Sequence, residues 1–238
     1  MNPLLVALDV DRAARARELA SMLAGVAGGF KVGSQLFTAE GPDFVRALVD
    51  EGHRVFLDLK FHDIPNTVAG AVASAASLGV WMLNVHASGG TAMMRAAKAA
   101  AEHAAATRGT PPPIVIAVTV LTSLTSETLA EIGVIGRTAR EQVAELARLV
   151  QRAGLDGVVA SPQETSLIRA TCGPGFAIVT PGIRGGGAST SGGDDQQRTL
   201  SPAEAVAAGA DYIVVGRPII GAPDPRAAAE RIARELGR

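Results

Sequence analysis

Arg54-Val55-Phe56-Leu57-Asp58-Leu59-Lys60-Phe61-His62-Asp63 (RVFLDLKFHD) begins as a nearly continuous apolar run and ends in a cluster of charge. A strand covered on both faces has this pattern, and such strands belong to parallel sheets sandwiched by helices. Similar runs recur on either side: Leu4–Val10 (LLVALDV), Gly29–Gly33 (GFKVG), Met82–Ala87 (MLNVHA), Ile114–Val120 (IVIAVTV), Gly157–Ser161 (GVVAS), Ala177–Pro181 (AIVTP) and Tyr212–Gly216 (YIVVG). With Arg54–Lys60 they make eight. Between them lie Ala-rich segments such as Asp11–Ala24 and Thr138–Ala153, with apolar residues at helical spacing, and an amphipathic segment, Asp224–Leu236, closes the chain. Eight strand–helix units in 238 residues predict an α/β fold, a (β/α)8 TIM barrel forming one domain over residues 1–238. Pro111-Pro112-Pro113 reads as a rigid turn into the fifth strand.

Composition narrows what such a barrel can do. Lys and Arg number 22 against 23 Asp and Glu, a formal net charge of −1, whereas nonspecific nucleic-acid binding needs a basic face that releases counterions. The N-terminal MNPLLVALDVDR lacks the basic-then-apolar build of a secretory signal. The uncharged stretch Val68–Val85 contains Asn84 and much Ala, Ser and Gly, and reads as a buried helix running into a strand, not a membrane span. Cys172 is the only cysteine, so no intrachain disulfide can form, which fits a reducing cytoplasm. The expectation is a cytoplasmic protein acting on a small molecule, with neither nucleic acid nor membrane as partner.

In this fold active sites lie at the C-terminal ends of the strands, and phosphate is commonly held after strands seven and eight. At the end of strand three, Asp58 and Lys60 share one face about 7 Å apart by strand alternation. Two such charges facing the barrel interior unpaired would cost several kcal/mol, so they belong to a charge network. Asp9 at the end of strand one, Lys31 in strand two, and Asp63 converge on the same rim. At strands seven and eight, Thr180-Pro181-Gly182-Ile183-Arg184 and Val215-Gly216-Arg217-Pro218 each place glycine and arginine at a strand exit. Glycine lets backbone N–H groups approach an oxyanion, and Arg supplies a forked, permanently charged donor. Pro218 suits the first turn of a short helix. The Gly/Ser-rich stretch Gly185–Asp195 (GGGASTSGGDD) cannot pack itself and reads as a phosphate lid spanning about residues 184–199. His53, His62, His86 and His103 show no metal-ligand spacing. His53 and His103 read as surface residues, His86 as a hydrogen-bonded wall of the site, and His62 as a group that orients its neighbours.

These residues resemble the orotidine 5′-phosphate decarboxylase family along essentially the whole chain. The most specific match is Asp58-Leu59-Lys60-Phe61-His62-Asp63-Ile64-Pro65-Asn66-Thr67. It is supported by Leu8-Asp9, Lys31-Val32-Gly33, Asn84-Val85-His86-Ala87, Leu121-Thr122-Ser123, Thr180 to Arg184, Asp194-Asp195-Gln196 and Val215-Gly216-Arg217. The resemblance implies conversion of orotidine 5′-monophosphate to uridine 5′-monophosphate and CO2 in de novo pyrimidine synthesis, by a homodimer that uses no metal and no organic cofactor. By the same resemblance Lys60 donates the proton to C6 of the pyrimidine and Asp58 lies beside the substrate carboxylate. Lys31 and Asp63 complete an alternating Lys-Asp-Lys-Asp array. Asp63 and Thr67 reach the partner subunit's site, Asp9 and Lys31 hold ribose hydroxyls, and Thr122 and Pro181 help bind the nucleotide. Arg184, Gln196, Gly216 and Arg217 grip the phosphate. The loop after Arg184 is longer and richer in glycine than the family pattern, which leaves Gln196 and Gln197 both in range; the Asp-Asp-Gln pattern favours Gln196.

The charges suit that chemistry. Loss of CO2 from C6 leaves a carbanion that the ring delocalises poorly, so a fixed ammonium near C6 favours it over the carboxylate. Two like charges about 4 Å apart repel by roughly 4 kcal/mol at an effective dielectric of about 20. Relief of that repulsion at Asp58 would give about three decades in rate, and the remainder falls to preorganised stabilisation and remote phosphate binding. Two other functions fit less well. A Mg-dependent sugar-phosphate decarboxylase or aldolase also carries Asp-x-Lys-x-x-Asp but has no use for Asp194-Asp195-Gln196. A non-catalytic nucleotide-binding barrel has no need of both Lys31 and Lys60.

Overall fold

Alternating apolar residues on a strand closed into a barrel must fill two separate spaces, one inside the ring and one beneath the surrounding helices. The computed structural model describes residues 2–183 and 200–237 and shows both. The strands are β1 (Leu4–Ala7), β2 (Gly29–Gly33), β3 (Val55–Phe61), β4 (Met82–His86), β5 (Ile114–Val118), β6 (Gly157–Val159), β7 (Ala177–Thr180) and β8 (Tyr212–Val215). They pair in parallel in sequence order, and β8 pairs with β1 to close the ring. Inside lie Leu5, Ala7, Phe56, Met82, Ile116, Val179, Tyr212 and Val214. Their outward-facing neighbours, among them Leu4, Val6, Leu57, Leu83, Val115, Ile178 and Ile213, join the larger core under the helices. Full burial of each such side chain contributes about 1.5–3 kcal/mol, so the two-sided apolar pattern is what holds the ring in its sheath.

The described helices are α1 (Ala13–Leu23), α2 (Ser34–Asp50), α3 (Pro65–Ala76), α4 (Gly90–Arg108), α5 (Ser126–Glu131), α6 (Ala139–Ala153), α7 (Thr165–Cys172), α8 (Pro202–Ala207), α9 (Arg217–Ile220) and α10 (Pro225–Glu235). Their starts are written locally. Thr125, Thr138 and Ser201 each form a capping box with the residue three positions on, and Asp224 caps α10 through the Ala227 amide. The helix α2 bends at Gly41, which sits at φ 74° ahead of Pro42. No described helix is long and apolar enough to cross a membrane.

The predicted strands begin within a residue of where they form, and several stop earlier than their apolar runs. The ladder of β1 ends at Ala7 and not Val10, β5 at Val118 and not Val120, and β6 at Val159 and not Ser161. Leu8 and Val120 stay buried against the helix layer after the paired residues stop, although the Leu8 amide still donates to the Lys31 carbonyl at 3.0 Å, so hydropathy runs on past the strand ends.

The two ends of the barrel differ in chemistry. At the N-terminal end Trp81 packs edge-on against Tyr212, ring centroids 5.2 Å apart, and the Arg54 guanidinium lies 5.7 Å from the Trp81 ring. That aromatic plug closes the bottom. The inward positions at the C-terminal end of β2, β3 and β4 are instead Lys31, Asp58, Lys60, Asn84 and His86, so the polar residues sit where the strands open. On the outside, Arg169 fastens α7 to the start of β8: its guanidinium donates to the carbonyls of Gly173, Pro174, Phe176 and Gly209 and to Asp211 Oδ2.

Candidate active site

A row of alternating charge crosses the open end of the first three strands. Lys31 Nζ lies 2.9 Å from Asp9 Oδ1 and 3.4 Å from Asp58 Oδ2, and Lys60 Nζ lies 2.7 Å from Asp58 Oδ1. The row grades from dry to wet: the Lys31 and Asp58 side chains keep 11% and 12% of their exposure, Lys60 33% and Asp9 48%. Burial works to lower the Lys31 pKa, but the adjacent Asp58 and Asp9 carboxylates outweigh it and hold the ammonium above the ordinary lysine value. Lys31 is therefore held as an ammonium at neutral pH. Gly33 leaves room for it, because a Cβ there would stand 3.0 Å from Lys31 Nζ and 3.4 Å from Asp9 Oδ1.

The Asp58–Lys60 pair does not arise from plain strand alternation. Pairing between β3 and β4 runs Leu57↔Leu83 and resumes only at Phe61↔Val85. Four steps along β3 thus face two along β4, a bulge that re-aims the side chains within it. Lys60 sits in this bulge at φ 54°, the only non-glycine residue with positive φ among the described residues. Such a backbone costs about 1–2 kcal/mol for a residue with a side chain, and this kind of strain clusters at functional sites. Asn84, fully buried on β4, accepts the Lys60 amide through Oδ1 at 2.8 Å and donates from Nδ2 to Asp58 Oδ1 at 2.7 Å. Its role was not evident from the sequence. The available signal was a carboxamide at the middle of three inward positions, 82, 84 and 86, in an otherwise apolar strand.

Asp63 lies apart from the row. It follows β3 in an exposed turn, its Oδ1 accepts the Ile64 amide at 2.6 Å, and it pairs with no cation among the described residues. Around it Ile64 is 66% exposed and Thr67, in the first turn of α3, is exposed as well. His62 is exposed and His86 half-buried, their rings 5.5 Å apart. Burial, followed by the nearby His62 and Lys60, lowers the His86 pKa, so its imidazole is neutral at neutral pH. The hydrogen bond expected of His86 as a wall residue is not formed among the described residues; it meets His62 by ring contact instead. His53, expected at the surface, is half-buried with its ring edge-on to Phe30 at 5.1 Å, while His103 is exposed. Among the described residues no group of three His, Cys, Asp or Glu side chains could hold a metal ion.

With this geometry in place, a family model described as "Orotidine 5′-phosphate decarboxylase / HUMPS family" matches residues 2–232. The chain belongs to that family. The orotidine 5′-phosphate decarboxylase of Moorella thermoacetica is 56% identical over 236 residues, 99% of this chain and 92% of the relative. That of Syntrophotalea carbinolica is 56% identical over 234 residues, 98% of this chain and 94% of the relative. Among solved structures, orotidine 5′-phosphate decarboxylase from Lactobacillus acidophilus superposes with a TM-score of 0.85 at 37% identity and covers 100% of both chains. An uncharacterized conserved protein from Geobacillus kaustophilus gives 0.83 at 39% identity, over 98% of this chain and 99% of the other.

In this member of the orotidine 5′-phosphate decarboxylase / HUMPS family, the remaining candidates ring the same opening. Thr122 follows β5 and is half-buried, and Pro181 follows β7 and is half-buried. Gly216 follows β8 and caps α9, whose first two residues are Arg217 and Pro218. A Cβ on Gly216 would lie 3.4 Å from Ala7 Cβ and 3.6 Å from Asp9 Oδ2, so the β8 exit stands beside the aspartate end of the charge row. Arg184, Gln196 and the Gly-rich stretch Gly185–Asp195 lie outside the described residues.

Proposed function

We propose that the protein decarboxylates orotidine 5′-monophosphate to uridine 5′-monophosphate, the reaction named for its relatives, as a step of pyrimidine biosynthesis. The observation that carries this is the preformed Lys31–Asp58–Lys60 row at the mouth of a closed barrel. In the proposed step the bond between C6 and the carboxylate carbon breaks and its electron pair stays on C6. CO2 leaves, Lys60 delivers a proton to C6, and the neutral amine recovers a proton from water. Asp58 beside the departing carboxylate raises the energy of the bound substrate, while the Lys60 ammonium, already held 2.7 Å from Asp58, faces charge that moves toward it as the bond breaks. No reorganisation of these dipoles is then required at the moment of reaction, and the charges are supplied by the chain's own side chains.

In the same proposal Asp9 and Lys31 hold the ribose hydroxyls, Thr122 and Pro181 line the nucleotide, and Gly216, Arg217, Arg184 and Gln196 take the phosphate. The phosphate-lid role of the segment around residues 184–199 rests on its composition and its place after β7. The exposed Asp63 pairs with no cation among the described residues and is flanked by exposed Ile64 and Thr67, which supports a homodimer in which Asp63 and Thr67 complete the partner's site. A lone cysteine, Cys172, supports a cytoplasmic setting. The deciding experiment is to mix the purified chain with orotidine 5′-monophosphate and a chelator, following pyrimidine absorbance and CO2 release together. Stoichiometric decarboxylation is expected. Activity that appears only on adding Mg2+ and a sugar phosphate would overturn this function.

A further inference from the structure

We infer that Asn84 is a positioning residue for the reaction: its carboxamide locks Lys60 into the β3 bulge and fixes the plane of the Asp58 carboxylate. This rests on the function proposed above, in which Asp58 and Lys60 act on the substrate.

The geometry makes one side chain responsible for two groups. Where β3 leaves register with β4, the Lys60 amide loses its place in the sheet ladder, and Asn84 Oδ1 takes it at 2.8 Å in place of a backbone carbonyl. The other end of the same carboxamide donates to Asp58 Oδ1 at 2.7 Å, the oxygen that also receives the Lys60 ammonium at 2.7 Å. Asp58 Oδ2 is left to face Lys31 at 3.4 Å. The orientation of the amide is dictated by its neighbours, since the reverse would set NH2 against an N–H and a carbonyl against a carboxylate. Only a group with an acceptor and a donor about two bonds apart satisfies both partners. Asn84 is fully buried, with a relative exposure of 0%. It therefore acts on the reaction through Asp58 and Lys60.

Without this clamp the φ 54° conformation of Lys60 has no remaining partner at its amide. The ammonium would shift with the backbone, and misplacement by about 1 Å can reduce turnover by about 100-fold. Nucleotide affinity should change little, because the proposed ribose and phosphate contacts come from Asp9, Lys31, Gly216 and Arg217 on other strands.

Two variants separate positioning from packing. Asn84→Leu keeps the branched outline of the side chain at somewhat greater bulk and removes both bonds. Asn84→Asp keeps the acceptor for the Lys60 amide but turns the donor into a second carboxylate against Asp58. The titratable groups around position 84 are Asp58 and Lys60 on β3, Lys31 behind Asp58 on β2, and His86 further along β4, while its β5 neighbour Ile116 is apolar. Two carboxylates in contact share a proton readily, and a protonated Asp at 84 regains a donor toward Asp58 while keeping an acceptor for the amide. The expected result for Asn84→Leu is a fall in kcat of about 100-fold with KM and product affinity within a few-fold. For Asn84→Asp the deficit relative to the unaltered chain should shrink as pH falls. Measured together are kcat, KM, binding of uridine 5′-monophosphate by calorimetry, and thermal unfolding. Unchanged kcat in Asn84→Leu, or a pH-independent deficit in Asn84→Asp with product affinity lost in proportion, would overturn the positioning role. Should Asn84→Leu not fold, the pH profile of Asn84→Asp decides alone. Absence of decarboxylation by the unaltered chain would instead defeat the functional proposal, and the Asn84 role with it.

Discussion

Replacing Lys31 by Met tests whether the charge row is built as one unit. The side chain keeps its unbranched reach as far as Cε and loses the ammonium that bridges Asp9 at 2.9 Å and Asp58 at 3.4 Å. At an effective dielectric of about 20, charges at those separations attract by roughly 5 kcal/mol each before desolvation is counted. Lys31 recovers its own desolvation on removal, so the net loss is smaller, and breaking a buried pair by deleting one partner typically costs about 3–5 kcal/mol. For a chain of this length each kcal/mol moves Tm by about 2–4 °C, which puts the expected fall at roughly 6–20 °C near neutral pH. The pH dependence supplies a sign. The folded-state pKa of Lys31 is raised, so its contribution is fully present below the unfolded value near 10.5 and fades as pH climbs through the higher folded value. The Tm gap between the unaltered chain and Lys31→Met should therefore hold steady from neutral pH to about pH 10 and narrow above it. Differential scanning calorimetry of both proteins across that range measures this. A gap under about 2 °C at neutral pH, or one that widens above pH 10.5, would show that Lys31 is not held by Asp9 and Asp58 as described.

Three further outcomes follow from the same geometry. Lys60→Ala should abolish turnover while uridine 5′-monophosphate still binds; decarboxylation surviving at even a few per cent would move the proton donor to another group. Arg217→Ala should lower kcat as well as raise KM, because remote phosphate binding is spent in the chemical step, and a change confined to KM at full saturation speaks against that coupling. Mixing inactive Lys60→Ala with inactive Asp63→Ala should restore activity through hybrids carrying one intact site, and no recovery would argue that each subunit works alone.

Much of the site could be read before folding because barrels put chemistry at predictable addresses. Asp9, Lys31, Asp58, Lys60, Pro181 and Gly216 are legible as strand ends and Thr122 through the family resemblance, and all lie at or just past the C-terminal ends of strands. What hydropathy could not convey was hydrogen bonding. Leu8 and Val120 are buried yet lie beyond the ends of β1 and β5, so an apolar pattern overestimates strand length. The closeness of Asp58 and Lys60 was expected from regular alternation, whereas it comes from a bulge with Lys60 in a left-handed conformation. Asn84 was legible only as part of a family pattern, because its two partners are 24 and 26 residues away in sequence.

From the amino-acid sequence come the eight two-sided apolar strands, the helix caps and the order of charges at the rim, since periodicity and local capping chemistry act between near neighbours. The register slip between β3 and β4, the grip of one carboxamide on two residues of another strand, and the exposure of Asp63 belong to the tertiary structure alone. Each depends on where strands far apart in the chain stop pairing, and backbone geometry settles that only when the ring has closed.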